Sequence, residues 1–477
     1  MFSIEVCENA RLSRDARFDG KFFTAVITTG IFCRPICPAR PPKPENVTYY
    51  ANAELAQQSG FRPCKRCFPQ LAPNLPLPRK IKQITQAYYE NNYSLQQCAE
   101  QLETSDRQIR RLFMQYYGLP PSEFFHQQRL LLAHKLLIST SLSITDVGFA
   151  AGFNSIRRFN EVILQAYKVS PSEIRGKKSS TTDNQVTILL PYKAPFDWPL
   201  MLSFFRSRKM SNIEDITTEH YFRTLELDNC QGWIKVTHHE NKSALNLTVN
   251  LTDYSFLNQI IARVRRMFDL DADMQLIHQH LKSHPTLAAV IEKFPGLRLP
   301  GCWDIFEFSI RAILGQQISV KGATTLAQRI AEKYGENVAD IEQPDNINTT
   351  KYFPKIAALM NVDYQDIGLT RSRIATLQTW VTYFQQHENI FAKGLTIEEL
   401  EASLTKLKGI GPWTVNYIGM RGLSDPDAFP SADLGIIKAL TFNEVKPKNK
   451  DILTLAENWR PWRAYAAIYL WQSLATQ

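Results

Sequence analysis

The sequence predicts a multidomain protein, mainly α with small α+β parts, and three observations carry this. At 477 residues the chain is too long for one core, at roughly 150 residues per domain. Two composition breaks divide it: the proline-rich "PQLAPNLPLPR" (Pro69–Arg79) and the polar "GKKSSTTDNQ" (Gly176–Gln185), one an extended linker and the other a flexible one. Helical periodicity fills the middle stretch and most of the last, while strand-like alternation is confined to "VTILLPYKAPF" and "GWIKVTHHENKSALNLTVNL". The expected parts are residues 1–75, 80–177, 188–290 and 291–477.

Charge separates these parts. Residues 1–180 hold 24 Lys and Arg against 14 Asp and Glu, and the remainder holds 31 against 32. The basic surplus therefore belongs to the first part and calls for a polyanionic partner there. "MFSIEVCENARLSRDARFDG" has scattered charges and no apolar secretory region. No stretch reaches the ~18 apolar residues of a membrane span. A cytoplasmic protein is expected, away from any membrane, so its eight cysteines do not form a disulfide framework.

Residues 1–75 read as loop-rich around two cysteine pairs, Cys33/Cys37 and Cys64/Cys67. The spacing C-x3-C-x26-C-x2-C suits one tetrahedral zinc, each pair filling two corners. Four ligands close the sphere and disfavour a hydrolytic metal, so spacing alone fits a passive staple.

From Lys80 the helical stretch contains "SLQQCAEQLETSDRQIRRLFMQYYG", a short helix, a turn and a helix opening at Ser105, a natural N-cap. Ile109, Leu112 and Phe113 share one face, leaving Arg107, Arg110 and Arg111 for DNA. "SITDVGFAAGFNSIRRFNEVILQAYKVSPSEIR" repeats the design. Ile144, Val147 and Ala150 face inward, Gly152 makes the turn, and Arg157, Arg158 and Asn160 lie outside on the second helix. Two such units, separated by the long "PSEFFHQQRLLLAHKLL" helix, resemble the AraC-type DNA-binding domain. The resemblance implies sequence-specific binding of duplex DNA.

With that domain behind them, "TTGIFCRPIC" and "PENVTYYANAELAQQSGFRPCKRC" resemble the N-terminal half of Ada-type alkylation-response regulators. The resemblance covers residues 1 to about 177. It implies that Cys33 takes a methyl group irreversibly from a methylphosphotriester in DNA, with Cys37, Cys64 and Cys67 as the other zinc ligands. Arg34, Arg40, Lys65 and Arg66 are candidate phosphate contacts. Ada proteins often end in a second methyltransferase domain with a Pro-Cys-His-Arg motif. Neither Cys230 nor Cys302 has that setting, so that activity is not expected.

In the last part "LTKLKGIGPWTVNYIGMRG" reads as helix, Gly-x-Gly, helix. Gly409 and Gly411 allow a tight turn whose N–H groups can hold a phosphate. Asp433, in "DAFPSADLGIIKAL", opens an apolar helix and by itself reads as an ordinary N-cap. Together with "FEFSIRAILGQQISVKGATTLAQRIAEKYG" and "AENWRPWRAYAAIYLWQSLA", these elements resemble the helix–hairpin–helix glycosylases, specifically the AlkA-type alkyl-base enzymes, over residues 188–477.

That resemblance implies an α+β sheet subdomain followed by a helical catalytic region, hydrolysing the N-glycosidic bond of bases such as 3-methyladenine. Asp433 is the implied catalytic carboxylate, with Asp425 and Asp427 weaker candidates. Trp413, Tyr417 and Trp471 form the implied base pocket, and Gln317 fills the vacated stack. Trp413 stands where backbone-cutting relatives carry lysine, so a monofunctional enzyme is implied. Alkylated and operator DNA are the expected partners, with RNA polymerase a further one, and the chain is expected to act as a monomer. The rival reading is a purely regulatory DNA-binding protein with a structural zinc and an inactive glycosylase-like domain.

Overall fold

The computed structural model describes residues 4–12, 14, 18, 20, 22–37, 39–51, 53–67, 69, 79–90, 93–176, 185–338, 341–391, 393 and 395–475. Both linkers, apart from their ends, lie outside the described residues. The chain forms two compact units, residues 1–88 with 93–131, and residues 89–92 with 132–477.

In the first unit, α1 (Ile4–Leu12) precedes a four-stranded sheet of β1 (Phe23–Val26), β2 (Ile31–Cys33), β3 (Val47–Tyr50) and, after α2 (Ala53–Gln58), β4 (Arg62–Pro63). The strand order is β3-β1-β2-β4. Gly30, at φ +63°, turns β1 into β2, a left-handed position that glycine takes without strain. Phe23, Ala25, Phe32, Ala53 and Ala56 form the small core. This region reads from sequence as loop-rich, but its strands of two to four residues are too short for their period to register. The parallel pairing of β4 on β2, Phe32 opposite Pro63, is what matters for function. It delivers Cys64 beside Cys33.

The same unit continues with α3 (Arg79–Glu90), α4 (Leu95–Gln101), α5 (Asp106–Tyr117) and α6 (Pro121–Ser139), the last running across the division between the units. Ser94 closes a capping box with Gln97, and Ser105 caps α5 by accepting from the Gln108 N–H. Such caps satisfy N–H groups that a short helix cannot pair internally. Gly118, at φ +63°, ends α5.

The second unit opens with α7 (Ile144–Ala150), α8 (Ile156–Tyr167) and α9 (Pro171–Arg175). Ser155 caps α8 as Ser105 caps α5. An antiparallel sheet follows, built from β5 (Gln185–Pro191), then α10 (Trp198–Arg206), and β6 (Glu214–Ile216), β7 (His220–Leu227), β8 (Cys230–His239) and β9 (Ala244–Leu251). Its order is β5-β9-β8-β7-β6.

The helical remainder comprises α11 (Leu257–Met267), α12 (Met274–Leu281), α13 (Pro285–Lys293), α14 (Ile305–Leu314), α15 (Val320–Tyr334), α16 (Ile356–Leu359), α17 (Arg371–Gln386), α18 (Ile397–Leu404), α19 (Pro412–Gly422), α20 (Leu434–Ala439), α21 (Asn449–Ala456) and α22 (Arg463–Leu474). Arg463 to Leu470 of α22 are all buried, so the helix is fixed on every side and presents Trp471 at a rigid end. Sheet and helices are joined by a buried ion pair, Arg223 to Glu307 at 2.8 Å, beside Glu214, which accepts from the Tyr221 hydroxyl at 2.6 Å. Burying such charges is tolerable only because each is paired. No described helix is long and apolar enough to cross a membrane.

Candidate functional site

Two sites emerge, one in each compact unit. In the first, the sulfurs of Cys33, Cys37, Cys64 and Cys67 all lie within 4.8 Å of one another. Cys33 ends β2, and Cys64 follows β4 with its N–H donating to the Phe32 carbonyl at 2.9 Å. Thiols this close cannot all ionise unaided: hydrogen bonding to Cys37 pushes Cys33 well above the ordinary thiol range, and hydrogen bonding to Cys33 drives Cys64 well below it. A soft divalent cation resolves that conflict, and four sulfurs at this separation fit zinc. The cluster is a single zinc site.

Its members are not equivalent. Cys64 and Cys67 are 8% and 5% exposed, whereas Cys33 and Cys37 are half-buried. Cys33, Cys37 and Cys64 line a cleft of about 550 Å³ and Cys67 does not. The Arg34 N–H donates to the Cys67 sulfur at 3.3 Å, the Arg66 N–H to Cys64 at 3.4 Å, and the Ala39 N–H to Cys37. Among the described residues no backbone N–H reaches the Cys33 sulfur. An N–H···S bond draws charge from sulfur, which sets Cys37, Cys64 and Cys67 apart from Cys33. Arg34, Arg40, Lys65 and Arg66 line the same cleft. Lys65, Arg66 and Arg40 are exposed, while an Arg34 guanidinium N–H donates to the Cys67 carbonyl at 3.3 Å.

The expected DNA-reading residues lie on the exposed faces of their helices. Arg107, Arg110 and Arg111 on α5, and Arg157, Arg158 and Asn160 on α8, are exposed, with Ile109, Phe113, Val147 and Ala150 buried beneath. Asp106 pairs with Arg110 at 2.8 Å, and Glu161 with Arg157 at 3.1 Å and Arg158 at 3.7 Å. These exposed pairs are weak and readily exchanged for phosphate.

In the second unit Asp433 is indeed the N-cap of α20, accepting at Oδ1 from Gly435 N–H at 2.8 Å and Ile436 N–H at 3.2 Å. It also does more than a cap requires. The indole N–H of Trp471 donates to Oδ1 at 2.9 Å and that of Trp413 to Oδ2 at 3.0 Å. Trp413 stacks on Tyr417, ring centres 5.0 Å apart and 14° from parallel, and Trp471 meets Tyr417 edge-on at 6.3 Å. The three expected pocket residues are thus brought together around the carboxylate, and all are half-buried. Asp427 is occupied elsewhere: Arg463 donates to it at 2.9 Å, and Arg460 pairs with it too.

Sequence reading missed the supporting groups. Arg421 donates to the Tyr417 hydroxyl at 3.0 Å while bonding the Pro300 and Gly301 carbonyls. Burial of the Tyr417 hydroxyl opposes its ionisation, but the Arg421 and Arg208 charges outweigh this and lower its pKa. Gln316 donates to the Gly409 carbonyl and the Thr414 hydroxyl, both at 2.9 Å, tying the loop that carries Gln317 to the glycine hairpin. Gln317 itself is exposed at φ +57°.

Gly409 sits at φ +87°, and a Cβ there would meet Thr376 Oγ1 at 2.1 Å, whereas one on Gly411 meets nothing within 4 Å. Neither N–H has an acceptor among the described residues, so both remain open to a phosphate. Gly409→Ala is expected to lower the melting temperature by about 2–8 °C, and Gly411→Ala to leave it unchanged, as thermal unfolding will check.

Known proteins share these features. The metal binding domain of Ada matches residues 6–70, a helix-turn-helix domain residues 98–177, and the AlkA N-terminal domain residues 187–304. A probable bifunctional transcriptional activator/DNA repair enzyme AlkA of Mycobacterium tuberculosis is 35% identical over 98% of this chain and 96% of its own length. DNA-3-methyladenine glycosylase 2 of Escherichia coli is 30% identical over 59% of this chain and 95% of its own. The solved 3-methyladenine DNA glycosylase of Archaeoglobus fulgidus shares the fold, with a TM-score of 0.52 at 19% identity over 60% of this chain and 97% of its own. The chain belongs to the family of bifunctional transcriptional activator/DNA repair enzymes that join an Ada-type zinc domain and a helix-turn-helix domain to an AlkA-type 3-methyladenine DNA glycosylase.

Proposed function

We propose that the two repair chemistries of this family are carried here by Cys33 and Asp433. The bonding at each reactive atom supports both. Among the described residues the Cys33 sulfur, which faces the cleft, takes no backbone N–H, whereas Cys37, Cys64 and Cys67 each take one, and each oxygen of Asp433 is held by an indole N–H.

Zinc, when bound, keeps its cysteine ligands as thiolates at neutral pH. The Cys33 sulfur attacks the methyl carbon of a methylphosphotriester. The S–C bond forms, the C–O bond breaks, and the electron pair leaves with the phosphodiester oxygen. The thioether is permanent, so the reaction is stoichiometric. Losing one thiolate charge lowers the repulsion between the cluster and DNA. Repair thereby strengthens DNA binding through Arg34, Lys65 and Arg66, and through the exposed arginines of α5 and α8. The regulated process is transcription, with RNA polymerase as partner, in the cytoplasm and from a monomeric chain.

At the second site a damaged nucleotide is flipped out of the duplex and its base stacks against Trp413 and Tyr417. An alkylated purine is cationic and leaves with the bonding pair of the N-glycosidic bond, without prior protonation. Asp433 balances the positive charge that develops on the sugar. Water then adds at the sugar carbon and gives up its proton to solvent. The Gly409 and Gly411 N–H groups hold the flanking phosphate, and Gln317 enters the vacated stack. Trp413 offers no amine to attack the sugar, so the backbone is left intact.

Residues 1–75, 80–177, 188–290 and 291–477 are the proposed functional divisions. The two indole N–H bonds supply the test of Asp433's setting. Trp471→Phe keeps an aromatic surface but removes a hydrogen bond to a charged oxygen. That bond fixes where the Asp433 oxygens sit, so its loss is expected to misplace the carboxylate and cost kcat about tenfold or more. KM should stay near the parent's. A rise in KM with kcat unchanged would mean Trp471 acts only as a pocket wall.

A further inference from the structure

Beyond the helix that Asp433 caps lies a feature neither site uses. After α20 ends, Phe442 and Val445 close a two-residue hairpin. The Phe442 N–H donates to the Val445 carbonyl at 3.3 Å, and the Val445 N–H to the Phe442 carbonyl at 2.9 Å. Between them Asn443 and Glu444 take φ values of +49° and +65°, the mirror-image turn that locks such hairpins. Asparagine accepts this conformation readily, whereas glutamate takes it under strain. Strain of this kind persists where the surrounding structure enforces it, and it clusters at functional places.

What the rigid tip presents is apolar. Phe442 is 76% and Val445 71% exposed. Around them Lys438, Lys446, Lys448 and Lys450 are exposed as well. From Leu434 to Lys450 these four lysines face one acid, Glu444, although the chain beyond residue 180 as a whole holds 31 Lys and Arg against 32 Asp and Glu. An apolar pair held in water invites burial against a partner, and the lysines specify that the partner is polyanionic.

Position narrows the partner further. The six residues of α20 span about 9 Å. The hairpin begins three residues beyond the helix, so chain length holds it within about six base-pair rises of Asp433, at about 3.4 Å each. We propose that the Phe442–Val445 hairpin is a second DNA-contact element, packing against the duplex within about six base pairs of the flipped nucleotide with its lysines on the phosphates. This rests on Asp433 marking where that nucleotide sits.

The experiment uses the full chain and two duplexes of one sequence, one intact and one carrying a tetrahydrofuran abasic analogue. Their affinity ratio isolates lesion binding from the background of the helix-turn-helix domain. One variant combines Phe442→Ser with Val445→Ser. Another combines Lys446→Gln, Lys448→Gln and Lys450→Gln. All five side chains are exposed, so melting should be unchanged. The first variant is expected to bind the abasic duplex about tenfold more weakly. The second should reduce the slope of log affinity against log salt by about 2–3. Shortening one flank below about six base pairs should weaken the parent but not the first variant.

Equal affinities, slopes and flank dependence across parent and variants would overturn the proposal. So would a DNA-free, concentration-dependent dimer of the parent that the first variant loses, because the face would then belong to a second copy. If the parent releases no base and shows no preference for the abasic duplex, the Asp433 reading falls first, and that outcome is distinguishable from failure of the hairpin alone.

Discussion

Asp433→Asn is expected to lower the rate of 3-methyladenine release from methylated DNA by about 10²–10³-fold, while binding of an abasic duplex stays within a few fold. The asparagine side chain is nearly isosteric. Its carbonyl oxygen can still accept from the Gly435 and Ile436 N–H groups, so the cap on α20 and the fold are kept. What disappears is the negative charge proposed to face the sugar. The amide NH₂ must also confront an indole N–H, because the carboxylate accepts from Trp471 at one oxygen and from Trp413 at the other. Single-turnover base release measures the effect. Release at the parent's rate would show that Asp433 is only a helix cap and that the catalytic group lies elsewhere.

Cys33→Ser should abolish methyl transfer from methylphosphotriesters. A serine hydroxyl is not ionised at neutral pH and is a far poorer nucleophile than a zinc thiolate. The three remaining sulfurs, two of them buried, should still retain metal, though less tightly. Cys67→Ser is the informative contrast. Cys67 is buried and lies outside the cleft, so its loss should weaken zinc binding and the fold of the small domain together. Mass analysis after incubation with methylated DNA should place one added methyl on the Cys33 peptide of the parent. Methyl on the Cys37 peptide instead would move the nucleophile to the other half-exposed ligand.

Much of this architecture was legible because it is written in local chemistry. Ser105 and Ser155 announce their helices through the cap each supplies. The cysteine spacing announces the metal, and Asp433 its helix start. Other parts could not be read locally. β7 is buried along nearly its whole length, so it lacks the alternation that reveals a strand. The N-terminal sheet is built from strands too short to show a period.

The setting of Asp433 was only half visible. Trp413 and Trp471 could be placed in a pocket, but nothing local shows their N–H bonds to the carboxylate: the Trp471 bond depends on α22 returning to Asp433 38 residues later in the chain, at the oxygen that Trp413 does not use. The same is true of Arg421 on Tyr417 and of Gln316 on the glycine hairpin. Each joins elements that only tertiary packing brings together. In the zinc cluster, spacing makes the four cysteines equal. Only the fold shows which sulfurs accept backbone N–H groups and which one faces the cleft without one.

The most direct test of two independent chemistries in one chain is a double readout on one substrate. Parent, Cys33→Ser and Asp433→Asn are each incubated with the same methylated duplex, and methyl on the Cys33 peptide and free 3-methyladenine are quantified together. The account predicts both products from the parent, only free base from Cys33→Ser, and only methylated peptide from Asp433→Asn. Loss of both products in either variant, or retention of both, would contradict it.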